Sequence, residues 1–199
     1  MVQERQIRSF IAIELPSELK TILGSFQNEM ASAGGSFVKW VSPDSIHITL
    51  KFLGNIFTEK VEAISLAIEQ ACAGTGPFTL KSGELGGFPN LKQPRVLWIG
   101  LHGDIDRVKL LQMSIDNNLA RLGFDKEKRE FTPHITLARM RDKASPADHR
   151  KFGELIMNKR FDFRYKIDVE SINLMRSQLL PGGAIYSRLA QLKLGGISG

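Results

Sequence analysis

Apolar and polar residues follow two different periods along this chain. Apolar residues three or four positions apart predict helices, whereas alternating or continuous apolar runs predict strands. Gly and Pro clusters separate the two kinds of segment. The predicted helices span residues 17–33, 59–72, 104–122 and 146–157. The predicted strands span residues 8–14, 37–41, 46–53, 95–101, 134–140, 160–168, 171–177 and 184–194, and one more begins at residue 78 and runs into a Gly/Pro loop at 86–90.

The tetrapeptide His-Ile-Thr-Leu occurs twice, at residues 47–50 and 134–137, each time in a predicted strand. Successive strand side chains point to opposite faces, so His47 shares a face with Thr49, and His134 shares one with Thr136. The Ile and Leu residues would then lie on a core. Each polar face offers an imidazole and a hydroxyl roughly 7 Å apart, from the usual rise per strand residue. That spacing suits a phosphate.

The two tetrapeptides belong to a longer repeat. His47 and His134 are 87 positions apart (134 − 47), and so are Phe10 and Leu97 (97 − 10), which lie in the strands two elements earlier. Each half would be strand, helix, connection and His-x-Thr-x strand. We therefore predict an α+β fold with two pseudo-twofold-related lobes, each a mainly antiparallel sheet with helices outside, and a central cleft between the sheets. Residues 1–199 would form a single domain built from two intertwined halves.

Composition narrows the class of protein. With 42% hydrophobic and 24% charged residues, the chain can bury a core without a metal or disulfide. No apolar run is long enough to span a bilayer, and the basic start leads into a strand, not into a signal peptide, so we expect a cytoplasmic protein. The single cysteine, Cys72, is most simply a small buried hydrophobe. The net charge of +6 permits RNA or nucleotides as partners.

Two histidines that face each other across a cleft can act as a general acid and a general base near neutral pH. In-line attack at phosphorus needs those two roles on opposite sides of the phosphorus atom. The threonine hydroxyls could donate to the non-bridging oxygens and stabilise charge in the transition state. The pattern does not assign the two roles, because reversed substrate binding would exchange them.

Other interpretations of the histidines are weaker. A lone strand histidine is usually structural, but two of the four histidines occupy equivalent repeat positions. A zinc site lacks ligands at the usual spacings, and no glycine-rich phosphate-binding motif is present, so we expect no metal and no cofactor. His102 and His149 are most simply surface residues.

The chain resembles the two-histidine (2H) phosphoesterases over almost its whole length. Besides the two His-x-Thr-x motifs, the resemblance rests on the runs 8–13, 39–54 and 177–186. Within that superfamily it is similar to the bacterial and archaeal RNA 2′,3′-cyclic phosphodiesterases, first described as 2′-5′ RNA ligases.

The resemblance implies metal-independent hydrolysis of RNA 2′,3′-cyclic phosphate ends to 2′-phosphates. It makes His47 the proton donor to the leaving oxygen and His134 the proton acceptor from water. Reverse 2′-5′ joining would use the same histidines. The partners would be RNA molecules with such ends, tRNA fragments among them, with no membrane. We expect a monomer because the two halves already complete the cleft.

The resemblance also carries two further residues. Arg139 would contact the substrate nucleotide, although strict alternation from His134 puts it on the opposite face, so that a bulge or the strand end would be needed to turn it inward. Phe10 could stack on a base or belong to the core. Lys51 shares the face of His47 under strict alternation and could approach the RNA backbone, or be a plain exposed lysine.

Two other classes of function remain open from the sequence. One is a related two-histidine enzyme acting on another ester, such as a 2′-5′ oligonucleotide, an ADP-ribose cyclic phosphate or a nucleotide-linked small molecule. The other is a non-catalytic module that binds RNA ends. The presence of both histidines and both threonines argues against a binding module, since phosphate binding does not require an acid and base pair.

Overall fold

Strands and helices alternate along the parts of the chain that the structure, a computed structural model, describes: residues 5–180 and 183–195. Nine strands lie there: β1 Gln6–Glu14, β2 Val38–Trp40, β3 His47–Phe57, β4 Phe78–Phe88, β5 Val96–Gly103, β6 His134–Met140, β7 Lys166–Val169, β8 Ser171–Leu180 and β9 Gly183–Lys193. Four α-helices accompany them: α1 Ser17–Gly34, α2 Val61–Ala73, α3 Ile105–Ala120 and α4 Pro146–Met157. None of these helices is long and apolar enough to cross a membrane.

The predicted helices are all present, but the strand predicted over 160–168 is wrong in its first half. Only Lys166–Val169 pairs with a neighbouring strand, β4. Upstream, Ser82 holds the chain: its amide donates to the carbonyl of Tyr165 (2.9 Å), and its hydroxyl donates to the carbonyl of Phe163 (2.7 Å) and accepts from the amide of Tyr165 (2.8 Å). The turn predicted at 181–183 lies largely outside the described residues.

The sheet has a two-lobed antiparallel arrangement, as predicted. Its strand order is β7-β4-β5-β6-β3-β1-β8-β9, and β2 pairs with β6. The two His-Ile-Thr-Leu strands meet through the single antiparallel pair Ile48 and Ile135, and β2 of the first half also pairs with β6 of the second. The two predicted sheets are therefore continuous. The C-terminal strands β8 and β9 complete the first lobe, and β4 and β7 complete the second. That residues 1–199 form a single domain stays a prediction.

The two faces of the sheet differ in what covers them. The main core joins one face to the helices through fully buried residues such as Ile11, Ile48 and Ile135. The opposite face carries a separate small cluster, Phe10, Ala12 and Met175. Burial of the first face supplies most of the apolar area that stabilises the fold, and it leaves the second face open for a ligand.

A β-bulge interrupts each His-Ile-Thr-Leu strand at its leucine. In β3, Thr49 pairs with Ala12 and Lys51 with Ile11, so Leu50 is the extra residue. In β6, Thr136 pairs with Trp98 and Ala138 with Leu97, so Leu137 is the extra residue. A bulge puts two consecutive side chains on one face and reverses the alternation beyond it.

The bulge in β3 overturns the prediction for Lys51. The lysine lies on the core face, not beside His47, and it is buried. Its ammonium forms an ion pair with Asp116 of α3 and donates to the carbonyl of Asp125 (2.7 Å). Asp116 also accepts from the amide of Glu127 (2.9 Å), so the pair ties β3, α3 and the segment that leads to β6.

The repeat is also less regular than the sequence indicates. The equivalence of 87 positions holds for the histidine strands, since Leu50 and Leu137 are both bulge residues. In the neighbouring strands Ala12 faces Thr49 and Trp98 faces Thr136, a separation of 86 (98 − 12). The match of Phe10 with Leu97 is therefore wrong by one residue, which reverses its faces.

Replacing Asp116 with alanine should lower the free energy of unfolding by about 3 kcal/mol, because it leaves the Lys51 ammonium buried without its counter-ion. Urea denaturation measures this change. The control is Glu130→Ala, which breaks the more exposed pair with Lys109 and should cost less than about 1 kcal/mol. Equal effects in both variants would contradict a special role for the buried pair.

Candidate active site

Each motif histidine is the first residue of its strand and is held in the same way. The Nδ1 of His47 lies 2.8 Å from the carbonyl oxygen of Ser45, and the Nδ1 of His134 lies 2.7 Å from that of Thr132. A carbonyl oxygen can only accept, so Nδ1 carries the hydrogen in both rings and donates it. This tautomer leaves Nε2 as the nitrogen that exchanges a proton.

The pairing of Ile48 with Ile135 sets how the two motifs face each other. Because the strands are antiparallel, His47 comes across from Thr136, and His134 comes across from Thr49. Neither threonine hydroxyl forms a hydrogen bond to any described residue, and both side chains are half-buried. The four residues predicted from the motifs are therefore brought together with two free hydroxyl donors among them.

Two aromatic rings pack on each histidine. The ring of Phe10 stacks on His47 at 4.7 Å between centroids, and Tyr186 meets His47 edge-on at 5.3 Å. On the other side Phe88 meets His134 edge-on at 5.1 Å, and Trp98 lies at 6.1 Å. These rings restrict both imidazoles to one orientation and keep water from one side of each.

The position of Phe10 does not favour its predicted stacking on a base. Its ring is only 3% exposed and is covered by His47 and Tyr186. Phe10 instead supports His47 from behind, so its influence on a bound nucleotide would pass through the histidine.

Sequence reasoning did not find Tyr186, Phe88 or Trp98, because their positions depend on strand pairing. The Gly/Pro loop predicted at 86–90 was the only signal, since such loops often border sites. Its first three residues lie in strand β4 instead, where Gly86 pairs with Trp98 and a Cβ at Gly86 would overlap the indole ring. Glycine at this position lets the indole lie against β4, next to His134.

Burial is the main cause of the pKa shift of both histidines. Desolvation lowers the pKa of His47 from 6.5, with the Ser45 carbonyl and Glu14 opposing the shift and Lys20 and Arg139 adding to it. Desolvation likewise lowers the pKa of His134, with the Thr132 carbonyl opposing and Arg139 adding. Both rings therefore favour the neutral form near pH 7.

Arg139 lies on the cleft face, because the bulge at Leu137 turns it there. Its side chain is exposed, and its main chain is opposite Lys39 of β2 in the sheet. The guanidinium lies close enough to lower the pKa of both histidines. It also lines a cavity of about 1070 Å³ between α1, the segment 39–45 and the β8–β9 hairpin. Ser45 and Tyr186 line the same cavity, which therefore adjoins His47.

The described residues hold no group of three or more His, Cys, Asp or Glu side chains placed to bind a metal ion. His102 pairs with Glu84 on the surface (2.8 Å), and His149 lies 2.8 Å from the carbonyl of Pro94. These two histidines lie outside the cleft.

A family model described as LigT-like phosphoesterase matches the chain twice, over residues 13–98 and 99–186. The chain belongs to the LigT-like phosphoesterase family. The two matches carry one His-x-Thr-x motif each, in agreement with the repeat.

Two curated relatives of this LigT-like phosphoesterase have the same name. The RNA 2′,3′-cyclic phosphodiesterase of Methanothermobacter thermautotrophicus is 31% identical over 95% of this chain and 100% of its own length. That of Methanocaldococcus jannaschii is 33% identical over 90% of this chain and 96% of its own. Among solved structures, Escherichia coli LigT in complex with 3′-AMP aligns with a TM-score of 0.75 and 26% identity, covering 96% of this chain and 100% of that one.

The aromatic pairs lead to a prediction about the histidine pKa values of this LigT-like phosphoesterase. Tyr186→Ala should admit water beside His47 and raise the pKa of His47 towards 6.5, with no change at His134. Phe88→Ala should do the reverse, raising the pKa of His134 only. An NMR titration of the imidazole signals measures both. A shift of both histidines together in either variant would contradict local desolvation as the cause.

Proposed function

We propose that this protein hydrolyses RNA 2′,3′-cyclic phosphate ends to 2′-phosphates, without a metal, by paired histidine acid and base catalysis. The observation that carries this function is the matched pair of imidazoles on adjoining antiparallel strands, each with Nδ1 bonded to a main-chain carbonyl. The relatives named RNA 2′,3′-cyclic phosphodiesterase support the choice of substrate.

The reaction would begin with His134 neutral and His47 protonated. Nε2 of His134 takes a proton from water as its oxygen attacks phosphorus. The P–O3′ bond breaks on the opposite side, and Nε2 of His47 donates its proton to O3′, leaving the phosphate on O2′. The hydroxyls of Thr49 and Thr136 donate to the non-bridging oxygens, where negative charge grows. This assignment of acid and base rests on the family resemblance.

The nucleotide that bears the cyclic phosphate would occupy the end of the cleft at His47. Arg139 and the adjoining cavity lie at that end, and the cavity has room for a nucleotide and part of the strand upstream of it. The guanidinium of Arg139 would contact the base or the backbone of the RNA. RNA fragments with cyclic ends, such as those from tRNA, are the proposed partners, and one chain would act as a monomer because it supplies both histidines.

The same site would run in reverse when a 5′-hydroxyl replaces water, forming a 2′-5′ bond. The two histidines exchange roles by microscopic reversibility. Without an energy source, hydrolysis in excess water would be the dominant direction.

The decisive test is hydrolysis of a short RNA ending in a 2′,3′-cyclic phosphate, in EDTA, with identification of the hydroxyl that keeps the phosphate. His47→Ala and His134→Ala should each lower kcat roughly 10²–10⁴-fold, since each removes a proton-transfer group. His102→Ala is the matched control and should leave kcat near that of the wild type, because His102 lies on the surface. Turnover that needs a metal, or that ignores either cleft histidine, would rule out the mechanism.

The pH dependence provides a second test. The free enzyme is productive when one cleft histidine is protonated and the other is neutral. Since both pKa values are lowered from 6.5, the protonated fraction of the acid falls about tenfold per pH unit above that value. We therefore expect kcat/KM to fall as pH rises from about 6.5 to about 8.5. A kcat/KM that climbs throughout this range would show that the acid titrates higher.

A further inference from the structure

Two cations lie directly opposite each other on the cleft face of the sheet. Lys39 of β2 is the ladder partner of Arg139 of β6. Their neighbours Val38 and Ala138 point into the core, so the two charged side chains point the other way. The Cβ atoms of residues opposed in this way are roughly 5 Å apart, and like charges at that distance destabilise a sheet.

No group of the protein neutralises this pair. Lys39 and Arg139 are both exposed, and neither side chain forms a hydrogen bond or an ion pair with a described residue. An anion bound between them would remove the repulsion and form charge-assisted hydrogen bonds with both. The pair is therefore a position where the protein gains stability from a bound anion.

The cavity that both cations line has walls of two kinds. Lys39 and Arg139 belong to the sheet, whereas the β8–β9 hairpin supplies Leu180 and Ile185. These two apolar side chains are 51% and 53% exposed. Asp44 is the one acidic residue among the described residues that line the cavity. A groove that offers cations to a backbone and apolar surface to the bases suits a single strand of RNA.

The cation pair lies beyond the reacting groups along β6. Arg139 comes four residues after Ile135, where the two histidine strands meet, which is at most roughly 13 Å from the rise per strand residue. The motif histidines and threonines, in contrast, are adjacent to that meeting point, so they surround the reacting phosphate. The cations are placed for a second phosphate. An RNA that ends in a cyclic phosphate continues only in the 5′ direction, so this second phosphate is the upstream one.

We propose that Lys39 and Arg139 together bind the phosphate that joins the terminal nucleotide to the nucleotide on its 5′ side. This inference rests on the proposed function and adds a substrate preference to it. A nucleoside 2′,3′-cyclic phosphate presents the same bond to the histidines but has no phosphate for the cation pair. The protein therefore selects RNA of two or more nucleotides over small cyclic nucleotides, and it does so at the cation pair.

The test compares two substrates. One is a nucleoside 2′,3′-cyclic phosphate with a 5′-hydroxyl, and the other carries one more nucleoside on its 5′ side through a 3′-5′ phosphodiester. Wild-type kcat/KM should be higher for the dinucleotide. Lys39→Ala should lower the ratio of dinucleotide to mononucleotide kcat/KM by roughly fivefold or more, because a charged contact to a phosphate is lost. Lys39→Arg, which keeps the charge, should largely retain the ratio.

The matched control is Lys151→Ala. Lys151 is also an exposed lysine, but it lies on α4, which packs on the other face of the sheet. Its removal changes the net charge as Lys39→Ala does and should leave the ratio unchanged. An equal fall in both variants would show that only the net charge of the protein matters, and it would overturn the inference.

The salt dependence of binding separates an electrostatic contact from a structural effect of the substitution. On a single strand, each neutralised phosphate contributes about −0.7 to the slope of log K against log salt concentration. For the wild type, the slope should therefore be steeper for the dinucleotide than for the mononucleotide by about that amount. The difference should shrink in Lys39→Ala and persist in Lys39→Arg. Equilibrium titration with the two 2′-phosphate products measures these slopes without turnover.

The outcomes distinguish this inference from the proposed function. An unchanged kcat/KM ratio in Lys39→Ala overturns the inference, and so does a lower ratio with an unchanged difference in salt slope. Wild-type hydrolysis of both substrates with equal kcat/KM and equal slopes overturns it while leaving the proposed function intact. Absence of wild-type hydrolysis overturns the proposed function, and the salt slopes then decide alone whether the cation pair binds an RNA phosphate.

Discussion

The antiparallel contact of Ile48 with Ile135 is the constraint on which the site depends. It is the single pair that joins the two His-Ile-Thr-Leu strands, and it fixes which side chains oppose each other across the cleft. Because both isoleucines are fully buried, a shift of one residue would expose them and carry both histidines to the core face. The same burial that stabilises the fold therefore fixes the register of the motif histidines and threonines.

Each histidine balances two opposing effects. Packing against aromatic rings removes water and lowers the pKa of the imidazole, while the bond from Nδ1 to a carbonyl stabilises the charged form. His47 and His134 are nevertheless not equivalent. Glu14 is opposite His47 in the ladder, whereas Gly100 is opposite His134, so the ladder partner of the first histidine carries a carboxylate and that of the second does not. A pseudo-symmetric site is thus given two different electrostatic environments.

The bulges at Leu50 and Leu137 serve the core and the cleft at once. Two consecutive side chains turn to the helices: Leu50 with Lys51 in one half, and Leu137 with Ala138 in the other. The next residue then turns to the cleft, Phe52 in one half and Arg139 in the other. One backbone irregularity, repeated, therefore brings a ring and a cation to the cleft face. Asp116 compensates the ammonium of Lys51, which is buried away from water.

Local pattern alone was enough for the helices, most strands and the two His-x-Thr-x motifs, since apolar periodicity and a repeated tetrapeptide are properties of neighbouring residues. The same holds for the shared faces of His47 with Thr49 and of His134 with Thr136, two positions apart and before either bulge. Beyond Leu50 and Leu137 strict alternation placed Lys51 and Arg139 on the wrong faces, because a bulge depends on the partner strand and leaves no mark in the periodicity. The rings around the histidines, Tyr186, Phe88 and Trp98, come from distant strands. Their approach is set by sheet order and register, which arise only when the whole chain packs.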